Sequence, residues 1–123
     1  MKIVILAGGK GTRLSEYTKV LPKPMVQIGS KPIIEHIINY YMRFGYNDFI
    51  IASGYKHSII KNYFEKKKIS SNIKVINTGV ETLTGARLKK LENELKNTFM
   101  LTYGDGLSNV NLEIFPLILL IVV

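Results

Sequence analysis

The chain has 123 residues, enough for one domain with a real core and near the lower limit for an enzyme with two substrates. Seventeen Lys and Arg against nine Asp and Glu leave a net charge of +8, which favours anionic partners such as nucleotides, sugar phosphates, RNA or an acidic membrane without choosing among them. The absence of cysteine excludes disulfide frameworks and cysteine-based zinc sites, and a cytoplasmic setting is expected.

The first apolar run of strand length is Lys2–Ala7, and it leads into LAGGKGTRL at residues 6–14. Gly8, Gly9 and Gly11 leave little side chain in the way of a backbone that must approach an anion. The spacing fits neither G-x-x-x-x-G-K-[ST] nor G-x-G-x-x-G, and Arg13 follows two residues after the last glycine. A short polar stretch then reaches Leu21-Pro22-Lys23-Pro24-Met25, where a proline on each side stiffens the backbone that carries the Lys23 ammonium. Backbone N–H groups, a guanidinium and a pinned lysine together suit a polyphosphate; the plainer alternative for Lys23 is an exposed turn lysine.

Ser30 and Pro32 mark a helix start, after which Ile34, Ile37, Ile38 and Tyr41 recur at helical spacing until Gly45. A second strand is expected over Asp48–Ser53, and a second helix carries Ile59, Ile60, Tyr63 and Phe64 on one face with Lys61, Asn62 and Glu65 on the other. A third strand is expected over Ile73–Thr78. The third helix begins at Thr84 as its cap and turns Leu88, Leu91 and Leu95 inward. The fourth strand, Thr98–Tyr103, ends in Gly104-Asp105-Gly106. A carboxylate there, with small neighbours, suits a hard divalent cation such as Mg²⁺, although Asp beside Gly is also an ordinary turn residue. Lys66-Lys67-Lys68 and Lys89-Lys90 read as solvated helix faces, and His36 and His57 lack spaced partners that would make them ligands or bases.

Apolar strands alternating with amphipathic helices predict a mainly parallel sheet covered on both faces, a Rossmann-like three-layer α/β/α sandwich. In such a sheet binding residues gather at the carboxyl edge. The glycine loop, Ser53-Gly54-Tyr55, Thr78-Gly79 and Tyr103 to Gly106 all fall there, so the loops are expected to face one crevice. After Glu113 the chain reads IFPLILLIVV. That run is well short of the roughly 18–20 residues that span a bilayer, so no membrane association is expected, and the tail at 116–123 reads as a truncation or frameshift.

LAGGKGTRL, LPKPM, GSKPIIEHII, FIIASGY, INTGVETLTGARLKKL and LTYGDGLSNVN resemble, in order, the N-terminal half of sugar-1-phosphate nucleotidyltransferases. The stretch TG-x-x-x-x-TG-x-RLK, Thr78 to Lys89, is most similar to the glucose-1-phosphate cytidylyltransferases. The similarity runs over residues 1–115. It implies that CTP and a sugar-1-phosphate meet in the crevice with Mg²⁺ as cofactor, and that the sugar phosphate oxygen attacks the α-phosphorus and expels pyrophosphate. Leu6, Ala7, Gly8, Gly9 and Lys10 would border the nucleoside. Gly11, Thr12 and Arg13 would hold the triphosphate, with Arg13 facing the charge that leaves, and Lys23 would bridge the reacting phosphates. Thr82 and Arg87 would reach the nucleoside end, and Asp105 would ligate the metal. Arg13, Lys23 and Asp105 are thus the expected catalytic set, although Arg87 could equally be a solvent-facing residue of its helix.

Two departures stand out. The segment from Phe64 to Ile73 is shorter than in the cytidylyltransferases, and the family continues past Asn111 with further sheet, a sugar-binding region and a second metal-binding aspartate. The sheet is therefore expected to be incomplete at its C-terminal end, with an exposed apolar edge and impaired turnover. The competing expectations are a relative using dTTP, UTP, GTP or ATP, and a non-catalytic module that keeps the fold to sense nucleotide or to pair with a full-length partner; a homo-oligomer is an expectation for the full-length family. A nucleic-acid partner is not expected, because the basic residues are dispersed and no aromatic-basic motif accompanies them.

Overall fold

The computed structural model describes residues 1–10 and 20–106 and the backbone of 120–121. The strands of its central sheet are β1 (Lys2–Ala7), β4 (Asp48–Ser53), β5 (Asn72–Asn77), β6 (Phe99–Tyr103) and β7 (Leu120–Ile121). They lie side by side in the order β5-β4-β1-β6-β7. The first four are parallel to one another, and β7 meets β6 antiparallel, pairing Ile121 with Phe99 and Leu120 with Met100. The mainly parallel α/β sheet expected from the sequence is therefore present. Over Phe99 and Met100, however, the edge expected to lie open is met by two residues of the apolar tail.

Alternation along each strand divides the core in two. Ile3, Ile5, Ala7, Phe49 and Ile51 point to one face, which is covered by α1 (Ile33–Met42) and α2 (His57–Lys66). Val4, Leu6, Ile50, Ala52 and Phe99 point to the other, covered by α3 (Thr84–Lys90) and the turn that follows it. Such runs, buried on both faces, give β1 and β4 their apolar character. By contrast β5 is the sheet edge and alternates between exposed and half-buried residues.

The periodicity of α1 is realised, whereas the helix expected to carry Leu88, Leu91 and Leu95 inward ends at Lys90: Leu88 is half-buried, and Leu91 and Leu95 are buried from the turn that follows. Ile34, Ile37, Ile38 and Tyr41 of α1 are buried, and Gly45 ends that helix in the left-handed region at φ +85° while its N–H bonds Met42 O at 3.0 Å. On the opposite face Leu91 and Leu95 are fully buried. Each is worth about 1.5–3 kcal/mol of hydrophobic stabilisation, and together they seat α3 against the sheet. Thr84 does not cap α3: the N-cap is Leu83, with no side-chain cap bond, and Thr84 is the first helical residue. Three short elements carried no strand or helix periodicity. Lys23–Met25 forms a single 3₁₀ turn entered through Pro22, and β2 (Gln27–Ile28) pairs antiparallel with β3 (Lys31–Pro32) around Gly29 at φ +65°. Among the described residues no helix is long and apolar enough to cross a membrane.

Candidate functional site

The carboxyl ends of β1, β4, β5 and β6 do converge, and backbone hydrogen bonds stitch the loops that leave them. Tyr55 N–H donates to Gly8 O at 3.2 Å, Thr78 N–H to Ser53 O at 2.7 Å, and Gly104 N–H to Leu6 O at 2.8 Å. Above them opens a crevice of about 450 Å³, the size of a small-molecule site. Its lining brings together Leu6, Ala7, Gly8, Gly9, Lys23, Thr82, Arg87 and Asp105 from the expected set, and adds Pro24, Leu83, Thr84 and Tyr103. Gly11, Thr12 and Arg13 lie outside the described residues.

Lys23 and Asp105, 82 residues apart in sequence, are partners. The lysine Nζ lies 2.9 Å from Asp105 Oδ2, with the two side chains 27% and 35% exposed. The 3₁₀ turn fixes one half of the pair. The other rides on the tight turn after β6, where a Cβ on Gly104 would stand only 3.1 Å from Leu6 O. An ion pair this accessible to water is worth at most about 1 kcal/mol, so phosphate and metal can replace either partner cheaply.

Asp105 offers one hard oxygen donor, and among the described residues no group of three His, Asp or Glu could hold a metal ion. That donor set fits Mg²⁺ arriving with triphosphate oxygens and waters, the usual habit of this ion, and does not fit a site that holds bare metal.

Arg87 faces the same crevice but is 5% exposed, which removes the reading of a solvent-facing helix residue. Nη1 donates to Thr78 Oγ1 at 2.8 Å and to Gly79 O at 2.5 Å; Nη2 donates to Gly8 O at 3.0 Å and to Val80 O at 3.3 Å. Burial draws its pKa below the usual arginine value. An unpaired cation in this position would cost several kcal/mol, and the four acceptors are what allow it to be buried. One turn later in α3, Lys90 Nζ donates to Thr78 O at 2.9 Å and Thr82 Oγ1 at 3.3 Å.

The glycines divide by what surrounds them. A Cβ on Gly8 would land inside the Arg87 guanidinium, whereas one on Gly9 would meet nothing within 4 Å. Open backbone for a ligand is therefore found at Gly9, and the missing side chain of Gly8 makes room for an arginine. Lys10 pairs with Glu81 across the outer rim, both largely in water.

Residues outside the expected set play structural parts. His57 Nδ1 meets the buried Ser53 hydroxyl, which itself donates to Ile76 O at 3.1 Å, and His36 Nε2 lies 2.7 Å from Ile28 O. Glu35, 3% exposed on α1, accepts from the Tyr63 hydroxyl of α2 and lies 3.6 Å from Lys67 Nζ. Burial first, and then this bond, push the Tyr63 phenol up to about 12. The sequence placed Tyr63 on a buried face and carried no signal for its acidic partner.

A family model described as nucleotidyl transferase matches residues 2–113. The chain is 42% identical over 134 positions to a probable glucose-1-phosphate cytidylyltransferase of Bacillus subtilis, covering 91% of this chain and 53% of that protein. It is 35% identical over 113 positions to a D-glycero-alpha-D-manno-heptose 1-phosphate guanylyltransferase of Campylobacter jejuni, covering 92% and 51%. The solved structure of HddC from Yersinia pseudotuberculosis complexed with GMP-PN superposes with a TM-score of 0.78 at 28% identity, over 94% of this chain and 52% of that one. The chain thus spans about half the length of the curated relatives it matches. The two sequence matches also differ in gaps. Since 91% of 123 residues is about 112, about 22 of the 134 positions face no residue here, whereas 92% is about 113, the full length of the second match. In this chain the connection from α2 to β5 is only residues 67–71.

Proposed function

Because the chain belongs to the nucleotidyl transferase family, we propose that its crevice binds a magnesium nucleoside triphosphate, CTP foremost, as the nucleotide-binding portion of a sugar-1-phosphate nucleotidyltransferase. The observation that carries this reading is the meeting of Lys23 with Asp105 on the wall of a 450 Å³ crevice that also contains the open Gly9 backbone. A cation, a hard oxygen donor and an open glycine backbone at one small-molecule site are equipment that suits phosphoryl-group chemistry, which needs no covalent nucleophile.

In the reaction, an oxygen of the sugar-1-phosphate bonds to the α-phosphorus of the triphosphate, the bond from that phosphorus to the bridging oxygen breaks, and pyrophosphate leaves with the electron pair. Lys23 lets go of Asp105 and neutralises the equatorial oxygens of the α-phosphate. Asp105 would hold the metal, which when bound would supply neutralisation of the phosphate charge. The roles proposed for the rest are neutralisation of the departing pyrophosphate by Arg13, contact with the nucleoside by Leu6 to Lys10 and Thr82, and retention of the phosphate tail by Gly11 and Thr12.

Identity to the Bacillus subtilis protein favours CTP and glucose-1-phosphate. A second reading, GTP, is favoured by the match without a length difference to the heptose 1-phosphate guanylyltransferase. Calorimetric competition of Mg·CTP, Mg·GTP, Mg·UTP and Mg·dTTP on the 123-residue chain separates the two, with CTP expected to win. Absence of binding by every one of them ends the proposal. Pyrophosphate release with CTP and glucose-1-phosphate is expected to stay far below the 1–10³ s⁻¹ range typical of enzymes, because the chain spans only about half of its relatives.

A further inference from the structure

We propose that Lys90 is a positioning residue for the nucleobase: it takes up the acceptor side of the Thr82 hydroxyl and leaves that hydroxyl to donate a hydrogen bond to a keto oxygen or ring nitrogen of the base. The inference deepens the nucleotide reading above and rests on it.

The geometry begins with the helix. Side chains of an α-helix lean toward its N-terminus, and residues three apart share a face. Lys90, the last residue of α3, thus shares a face with Arg87 and reaches back to the loop that precedes the helix. Its Nζ donates to Thr78 O at 2.9 Å and to Thr82 Oγ1 at 3.3 Å, so the ammonium is anchored on backbone where it meets the hydroxyl. Gly79 makes room for the meeting. It is left-handed at φ +93°, and a Cβ on it would stand 2.6 Å from Thr82 Oγ1 and 3.3 Å from Lys90 Nζ.

Hydrogen-bond accounting then sets the polarity. A threonine hydroxyl has one hydrogen and two lone pairs, whereas an ammonium has hydrogens only. Lys90 can therefore meet Thr82 in one sense alone, with the hydroxyl oxygen accepting. Among the described residues no acceptor takes the Thr82 hydrogen. Thr82 is half-buried and lines the crevice, so that hydrogen is available to a ligand there. The neighbouring positive charge strengthens the hydroxyl as a donor and weakens it as an acceptor. Cytosine answers such a donor with O2 and N3, and its exocyclic amino group does not. The competing role for Lys90 is a phosphate contact through the third hydrogen of its ammonium.

The test uses the 123-residue protein with Lys90→Met, Thr82→Val and both together. Lys89→Met is the charge control, since the Lys89 side chain is 77% exposed and pairs with Glu92. Calorimetry follows the magnesium complexes of CTP, tripolyphosphate, 2-thio-CTP and 3-deaza-CTP; the two analogues replace O2 by sulfur and N3 by carbon. Lys90→Met should weaken Mg·CTP by about three- to tenfold, Thr82→Val by about tenfold, and the double variant no more than Thr82→Val alone. Tripolyphosphate should bind the parent and Lys90→Met alike, and so should one analogue, the one lacking the acceptor that Thr82 reaches. Lys89→Met should leave Mg·CTP affinity unchanged. Without nucleotide, three-bond NMR couplings should show one Thr82 χ1 rotamer in the parent and averaging in Lys90→Met.

Additive losses in the double variant overturn the proposal by making Lys90 a general support of the loop, and an equal loss with tripolyphosphate does so by making it a phosphate contact. Loss in Lys89→Met as large as in Lys90→Met, sensitivity of both analogues, or a Thr82 rotamer indifferent to Lys90→Met also overturns it. Thr82→Ser keeps the hydroxyl and should keep the sensitivity to Lys90→Met; its absence there is decisive even if Thr82→Val does not fold. If the parent chain binds no nucleotide, the nucleotide reading falls and takes the base contact with it, whereas failures confined to the variants leave that reading standing.

Discussion

On one side of the crevice the turns after β1, β4 and β5 are tied by Arg87, Lys90 and the Thr78 hydroxyl, and the space beside Gly8, Gly54 and Gly79 is filled by neighbouring atoms. On the other, Lys23 and Asp105 meet in a single ion pair that water reaches from the crevice. The contrast accords with the proposed nucleotide reading. A surface that recognises a rigid group works best when its own hydrogen bonds already hold its shape, whereas charges that must shift onto a triphosphate work best when their resting partner is weak.

The largest effects should come from filling the tied side. Gly8→Ala and Gly54→Ala each place a methyl where the guanidinium or a backbone carbonyl stands, and each is expected to lower unfolding free energy by about 1–3 kcal/mol in urea titrations. Gly9→Ala and Gly106→Ala enter open space and should stay within about 0.5 kcal/mol. The comparison sharpens in a double variant: with Arg87→Ala already present, Gly8→Ala should lose most of its cost. A penalty that remains undiminished would show that Gly8 is shaped by something other than the arginine.

Next comes the exchangeable pair. Lys23→Ala should weaken Mg·CTP by about 10–100-fold, the equivalent of a charge-assisted contact of about 1.5–3 kcal/mol, while the melting temperature scarcely moves. Asp105→Asn should weaken Mg·CTP while scarcely changing the affinity for metal-free CTP, measured by the same calorimetry. Equal losses with and without Mg²⁺ would break the assignment of Asp105 to the metal.

At the outer rim, Glu81→Gln removes the exposed partner of Lys10 and should alter stability by less than about 1 kcal/mol, measured by thermal melting. The last prediction lies away from the crevice. Tyr63 is raised in the folded chain, from an ordinary 10.0 to about 12, so the native state keeps a proton that the unfolded chain has released. The stability linked to this shift, which comes first from burial and then from the bond to Glu35, is whole below pH 10 and is lost as pH rises toward about 12. Tyr63→Phe should flatten that alkaline slope in pH-dependent urea unfolding and leave Mg·CTP affinity unchanged. A slope identical to that of the parent chain would remove Tyr63 from the account.

Much of the scaffold is legible in the order of the residues. The spans expected for β1 and β4 coincide with the observed strands, that for β6 starts one residue early, and that for β5 is shifted by one residue at both ends. Buried parallel strands must be apolar on both faces, and a helix on a sheet must repeat its apolar residues every three or four positions. Convergence of the glycine loop with Thr78-Gly79 and Asp105 is legible too, because parallel strands bring their carboxyl ends to one edge. The hairpin of β2 and β3 is not, since two-residue strands leave no period to read. Nor is the burial of Glu35 and Arg87, since a charged residue in a helix reads as surface until its partners are known.

Local pattern by itself determined which segments became strands and helices and which sheet edge would carry the chemistry, because alternation and helical spacing are properties of neighbours along the chain. It also singled out Lys23 and Asp105 by the prolines and glycines beside them. That these two would form one pair, and that Gly8 serves an arginine 79 residues away, was decided only by tertiary structure. The acceptors that satisfy a buried charge and the atoms that fill the space above a glycine come from other strands, and their distances exist only after the sheet has closed.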